Sequence, residues 1–298
     1  MCKTDGVAAP AASKPTPIYV DIHLPVTGEA WGEALRANAF LNAKLKSSEI
    51  DFVNKDQPHI TLYLTAWTCP APPAPRSSAA SAASAAAASS ASSASSAFPP
   101  LSCPEQIASA ISSIIYSLGP PQGPCEVQLG EPYAAGSYAM LNVTNTACLQ
   151  YYSDAIVNAT YHLSEPNQTA PQWVHSLPEP ARSEKIADVT KYGSPNVFTQ
   201  FAPHVSVAWS SDTAAVADAV KALAANKTLN SKSTFSGDVV ALGMGAVHGT
   251  VLKGKDLAEF NVTKRRDTAC LNKYGSEPLG GVLAIQTSES VCRVIDDV

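Results

Sequence analysis

An α+β fold is predicted by three observations. Strand-like apolar runs alternate with helix-period segments along the chain, the two strongest strands share one local motif, and one copy of it falls in each half. Residues 18–24, IYVDIHL, alternate as a strand does, and residues 28–46 follow with Trp31, Leu35, Leu41 and Leu45 near helical spacing. Residues 58–66 read as a strong strand. Ile107, Ile111, Ile114, Ile115 and Leu118 mark an amphipathic helix stopped by Gly119-Pro120. Residues 125–130 and 137–143 form a strand pair joined through Ala134-Ala135-Gly136. A helix over 147–162, a Pro-containing loop over 163–180 and a short charged helix near 181–191 lead to a strand at 202–209. An Ala/Val-rich helix over 212–225 precedes final strands at 235–253 and 256–262. The sum is two comparable halves, each placing a helix beside a histidine-bearing strand.

Residues 70–102 interrupt this pattern with a Pro-bounded Ala/Ser tract that has almost nothing to bury, and they read as a mobile insertion. Cys69 and Cys103 bracket it. A disulfide between them would clamp its base, although connectivity does not follow from sequence. Residues 1–17 read as an N-terminal extension, 18–262 as the folded domain and 263–298 as a tail of weak periodicity that Cys270 and Cys292 could tie into a loop.

Composition narrows the function. Hydrophobic residues make up 45% and charged residues 15% of 298, enough apolar content for a substantial core. A net charge of −5 without a basic stretch argues against duplex DNA, which needs a Lys/Arg surface to neutralise many phosphates. A small nucleotide or a short RNA end remains compatible. No stretch approaches the ~18 apolar residues of a membrane span.

Five asparagines (Asn142, Asn158, Asn167, Asn226 and Asn261) stand in N-x-T sequons without proline, where roughly one is expected by chance. Seven cysteines form no C-x-x-C pair, which leaves zinc and thioredoxin-like readings little support and is compatible with disulfides. Scattered cytosolic thiols are the competing reading of the cysteines. With the sequons, a secreted or luminal glycoprotein is expected. Residues 1–17 lack the apolar segment of a secretory leader, so the expectation is a chain whose leader has been removed.

The chemistry resides in two segments. Residues 58–64 are Pro-His-Ile-Thr-Leu-Tyr-Leu and residues 203–209 are Pro-His-Val-Ser-Val-Ala-Trp. Strand side chains alternate between faces, so His59 and Thr61 should share one face, with Ile60, Leu62 and Leu64 on the other. Likewise His204 and Ser206 should oppose Val205, Val207 and Trp209. Each strand thus presents one imidazole and one hydroxyl: a half-site, made twice. An imidazole with an ordinary pKa near ~6.5 serves as acid or base at neutral pH. Two on opposite sides of a phosphorus permit in-line attack and departure, and hydroxyls can donate to the non-bridging oxygens. The scheme requires no metal or cofactor, and the sequence contains no clustered His/Asp/Glu set to hold a metal.

PHITLYL and PHVSVAW resemble the paired H-x-T/S motifs of the two-histidine phosphoesterases, which include LigT-type 2′-5′ RNA ligases and cyclic phosphodiesterases. IYVDIHLP is similar to the first strand of that family and ALGMGAVHGTVLKG to its closing strand. The resemblance implies a bilobal fold, with two pseudo-symmetric β/α lobes around a central groove. It also implies His59 and His204 as acid and base, Thr61 and Ser206 as phosphate-binding hydroxyls, and metal-independent cleavage of 2′,3′-cyclic or 2′-linked phosphodiesters. Ser206 in place of Thr, the sequons, the insertion and the Cys-bearing tail depart from the better-known members.

Tyr63, read on the Thr61 face, is a candidate to stack a base or line the groove, or else a plain strand aromatic. Tyr138 and Phe201 are further substrate-binding candidates. His23 and His248 are read as structural, and Lys185 and Lys191 as surface residues. A monomer is expected. The rival function is a secreted, non-catalytic nucleotide- or glycan-binding protein on the same fold.

Overall fold

The computed structural model describes residues 18–69, 101–118, 125–226, 233–262 and 270–271. The N-terminal extension, nearly all of the Ala/Ser tract and most of the tail, including Cys292, lie outside these residues.

The expected α+β content is present. Strand β1 (Ile18–Pro25), helix α1 (Gly28–Leu45), the two-residue β2 (Asp56–Gln57) and β3 (His59–Trp67) come first. Helix α2 (Cys103–Leu118), β4 (Glu126–Ala135), β5 (Tyr138–Val143) and α3 (Ala147–Thr160) follow. Then come the short α4 (Gln172–His175), α5 (Ala181–Tyr192), β6 (His204–Trp209) and α6 (Thr213–Ala224). Strands β7 (Thr234–Ser236), β8 (Val239–Gly245), β9 (Val251–Asn261) and β10 (Cys270–Leu271) close the series. The closing strands break at 246–250 rather than at 254–255 as the sequence suggested. There His248 (φ 64°) and Gly249 (φ 65°) turn the chain between β8 and β9, and the Ala246 N–H donates to the Thr250 carbonyl at 2.7 Å.

Two antiparallel sheets result. One runs β10-β9-β8-β1-β3, with β2 paired to β9; the other runs β6-β5-β4-β7. Each histidine strand, β3 or β6, ends the order of its sheet, and β3 and β6 pack against each other. Helices α2 and α3 back the first sheet, and α1 and α6 back the second. Each histidine strand therefore has its helix, but from the other half of the chain: α3 lies on β3 and α1 on β6.

The buried face of α1 is Ala30, Ala34, Ala37, Asn38 and Leu41 at helical spacing, while Trp31 is 38% exposed. Small residues let α1 approach the second sheet closely. Helix α3 is capped by the Thr146 hydroxyl, which accepts from Leu149 N–H, and α6 by Asp212, which accepts from the Ala214 and Ala215 N–H groups. One apolar core runs through both layers, from Ile22, Leu62 and Trp67 to Leu141, Val205 and Leu223.

Disulfides join Cys69 to Cys103 and Cys125 to Cys148. The first closes the base of the Ala/Ser tract, with a separation of 34 residues. A loop of that size is worth about 3–4 kcal/mol through the unfolded chain in the entropy model. No described helix is long and apolar enough to cross a membrane.

Candidate active site

The same local device holds both histidines. Pro58 and Pro203 restrict the residue before them, Gln57 or Ala202, to extended backbone. The Gln57 carbonyl receives a hydrogen bond from His59 Nδ1 at 2.8 Å, and the Ala202 carbonyl one from His204 Nδ1 at 2.9 Å. A carbonyl can only accept, so Nδ1 carries the hydrogen in each ring and Nε2 keeps its lone pair for chemistry.

Both strands then bulge at the same offset. Along β3, Thr61 pairs with His23 and Tyr63 with Ile22, leaving Leu62 without a partner; along β6, Ser206 pairs with Met140 and Ala208 with Ala139, leaving Val207 without one. A single extra residue inverts the alternation beyond it. Tyr63 consequently turns into the core, 1% exposed, with its hydroxyl donating to the Tyr192 carbonyl and its ring edge-on to Trp67 at 5.3 Å. This corrects its expected place on the Thr61 face. Trp209 turns the other way, onto the His204 face, as the partner of Tyr138.

The His204 face of the second sheet thus carries the pairs Asn142–His204, Met140–Ser206 and Tyr138–Trp209. His248 stacks on Trp209 at 4.0 Å and 19°, lies edge-on to Tyr138 at 6.5 Å and has Glu49 Oε2 3.5 Å from its Nε2. Ser206 is half-buried, and its hydroxyl makes no hydrogen bond to another described residue. Phe201, by contrast, is 7% exposed and part of the core. Lys185 ties α5 to the chain entering β6, donating to the Pro195 carbonyl at 2.8 Å and to Asn196 Oδ1 at 2.9 Å.

On the first sheet a buried polar cluster backs His59. Thr61 Oγ1 lies 2.9 Å from Asp21 Oδ2, and His59 Nε2 lies 3.9 Å from the same oxygen. The His23 ring is fully buried, edge-on to His59 at 5.2 Å, with Nδ1 3.3 Å from the Asp21 carbonyl and Nε2 3.5 Å from Asp256 Oδ1. Gly243 on β8 makes room, because a Cβ there would lie 2.7 Å from His23 Cε1 and 2.8 Å from Asp256 Oδ1. The structural reading of His23 fits this burial.

Burial governs the protonation of the cluster. It pushes the His59 imidazole down to about 4, opposed by the Gln57 carbonyl and reinforced by the facing His204 imidazole. His204 is also lowered by burial, against the Ala202 carbonyl. His23 falls to about 3 through burial and the neighbouring His59. Asp21 is raised well above the usual carboxylate range by burial and Asp256, against the Thr61 hydrogen bond. Asp256 rises to about 6 by burial and Glu259. All three imidazoles are pushed toward the uncharged form, and burial works against the ionised form of Asp21.

The structure thus sets His59 with Thr61 on edge strand β3 and His204 with Ser206 on edge strand β6, with Tyr138 on the neighbouring β5. It removes Tyr63 and Phe201 to the core. Sequence reasoning missed Asp21, Asp256, Trp209 and the Asn142 position beside His204. Asp21 had a signal, an acid inside an otherwise apolar strand; Trp209 had none, because the bulge that exposes it leaves no local mark. Among the described residues, no group of three or more His, Cys, Asp or Glu is arranged to hold a metal ion.

No family model matches the chain, and no curated protein matches it. A solved structure of E. coli LigT complexed with NADP+ is similar at 10% sequence identity and a TM-score of 0.37, covering 84% of this chain and 100% of that one. A likeness of that degree carries no argument about this chain's chemistry, which rests on the geometry above.

Proposed function

We propose that this chain is a phosphoesterase that hydrolyses nucleoside 2′,3′-cyclic phosphates or 2′-linked phosphodiesters with His59 and His204 as its acid–base pair. The observation that carries the reading is the duplicated X-Pro-His device, which leaves an Nε2 lone pair on each of two facing edge strands. Two neutral imidazoles supply a base at once. An arriving phosphodiester anion favours protonation of one ring, which then becomes the acid that delivers a proton to the leaving ribose oxygen. Thr61 and Ser206 donate to the phosphoryl oxygens as charge builds on them. In this reading the two sheets form lobes about a central groove, and the Trp209–Tyr138 edge lies along the bound nucleoside. Reversible 2′-5′ joining of RNA ends would use the same four residues.

A secretory compartment belongs to the proposal. The two disulfides and the exposed sequon residues Asn142, Asn158 and Asn167 support it.

The test is turnover of the four 2′,3′-cyclic nucleotides in the presence of EDTA, with His59→Ala and His204→Ala alongside. A loss of about two or more orders of magnitude in each variant is expected. No turnover in the unaltered protein would instead indicate a binding protein or a substrate outside nucleotides, and turnover indifferent to both substitutions would remove the chemistry from this histidine pair.

A further inference from the structure

The two half-sites differ in one respect. The Ser206 hydroxyl has no protein partner among the described residues, whereas Thr61 Oγ1 is engaged with Asp21 Oδ2 at 2.9 Å. A hydroxyl has one proton to give. If Asp21 is ionised, that proton belongs to its carboxylate, and Thr61 shows only lone pairs to an incoming anion. If Asp21 is protonated, the bond reverses: the carboxyl donates to Thr61 Oγ1 and the threonine proton turns outward. Resting on the phosphoesterase reading, we propose that Asp21 is the proton-operated gate of the His59–Thr61 half-site, admitting a phosphoryl or sulfuryl anion when protonated and excluding it when ionised.

Among the described residues, no lysine or arginine acts on Asp21 to stabilise its ionised form. Asp21 is 1% exposed, and its Oδ1 has no hydrogen-bond partner. From its own strand it faces His23 Nδ1 at 3.7 Å, and from β3 it faces His59 Nε2 at 3.9 Å. Both rings already donate their Nδ1 hydrogens to carbonyls, and both are held neutral by burial. From β9 the group acting on it is another acid, Asp256, with Glu259 acting on that in turn. From β8 its register partner is Gly243, which brings no charge. A lone buried carboxylate with one hydrogen bond is costly, and burial accordingly raises Asp21. An ionised Asp21 would also place a negative charge under the position the substrate anion must take. A protonated one removes the repulsion and supplies a donor in the same step.

Sulfate is the probe, because it mimics the phosphoryl anion yet keeps its charge across the working pH range. Its affinity is measured by calorimetry from pH 5 to 9 for the unaltered protein, Asp21→Asn and Thr61→Val, each checked for folding by its denaturation midpoint. The unaltered protein should lose affinity as pH rises, approaching about tenfold per pH unit once Asp21 ionises. Asp21→Asn, neutral at every pH and still able to donate to Thr61, should keep only the shallower decline that imidazole protonation brings, while matching the affinity of the unaltered protein at low pH. Thr61→Val should bind several-fold more weakly at low pH and show a shallower decline. Should Asp21→Asn fail to fold, calorimetry of a His59→Ala/His204→Ala protein in two buffers of different ionisation enthalpy decides: with those imidazoles gone, proton uptake on sulfate binding is still expected on the alkaline side.

A pH decline as steep in Asp21→Asn as in the unaltered protein, or binding without proton uptake in the protein that lacks His59 and His204, overturns the gate. If His59→Ala and His204→Ala nevertheless abolish cyclic-nucleotide turnover, the phosphoesterase reading stands without it. If sulfate binds at no pH and no cyclic nucleotide is turned over, both fall.

Discussion

Asn38 Nδ2, on α1, donates to the Val207 carbonyl at 2.7 Å, at the residue where β6 slips out of register with β5. Ser153 Oγ, on α3, donates to the Leu62 carbonyl at 2.9 Å, at the matching slip in β3. A bulge frees its residue from the ladder, and a buried carbonyl without a partner is costly. In both strands a polar side chain on the covering helix meets that need. The bulges that turn Trp209 outward and Tyr63 inward are thus supported from behind, and the supports lie in the opposite halves of the chain from the bulges.

Removing either support should destabilise the protein unequally. Ser153→Ala strands one carbonyl and should cost about 1–3 kcal/mol. Asn38→Ala should cost more, because Asn38 also donates to the Ile50 carbonyl at 2.9 Å and accepts from Phe52 N–H at 3.3 Å. Urea unfolding of both variants measures this; negligible losses in both would mean that water replaces the helix donors.

The buried imidazoles should make the fold acid-labile. His23 is held near 3 and His59 near 4, below the unfolded value, so their contribution is complete above about pH 6.5 and is lost as pH falls toward those folded values. Asp256, raised to about 6, runs in the opposite sense, favouring the fold at low pH and losing that advantage as pH rises from the usual carboxylate range through 6. Replacing His23 by Leu should reduce the stability difference between pH 7 and pH 4.5 by about 2–3 kcal/mol. Denaturation midpoints at the two pH values check this, and an unchanged difference would show that the fold does not hold His23 below its unfolded value.

Gly243 should tolerate no side chain. A Cβ at this position would come within 2.7 Å of both His23 Cε1 and Val251 Cγ1. Gly243→Ala should cost about 1–3 kcal/mol by overpacking and lower turnover through displacement of His23 against His59. A thermal midpoint equal to that of the unaltered protein would contradict the close packing of β8 on this cluster.

Asn142 should be the sequon that matters for catalysis. Its exposed side chain shares a face with His204 as its direct cross-strand partner. A glycan there would crowd the imidazole, whereas one at Asn158 lies on α3 and one at Asn167 in the loop beyond it. Active protein should therefore carry Asn142 unmodified. Glycopeptide mass spectrometry of the active fraction decides this: full occupancy at Asn142 with undiminished turnover would refute it.

Much of this site was legible locally. A proline before a histidine, with a hydroxyl two residues on, specifies a strand start, an oriented carbonyl and a shared face. Each of those is settled within four residues. The faces of Tyr63 and Trp209 were misread because alternation was carried past a bulge that only the partner strand creates. Thr61 was read as a free donor because its partner Asp21 is 40 residues away in sequence.

By itself the sequence determined the α+β alternation and the two histidine strands, since periodicity and residue chemistry act over a few neighbours. Tertiary structure alone decided that α1 covers β6 while α3 covers β3, that Leu62 and Val207 drop out of register, and that Asp21 holds Thr61 beneath His59. These depend on which apolar faces bury each other best and which stranded carbonyls find donors, and those terms exist only once distant segments meet.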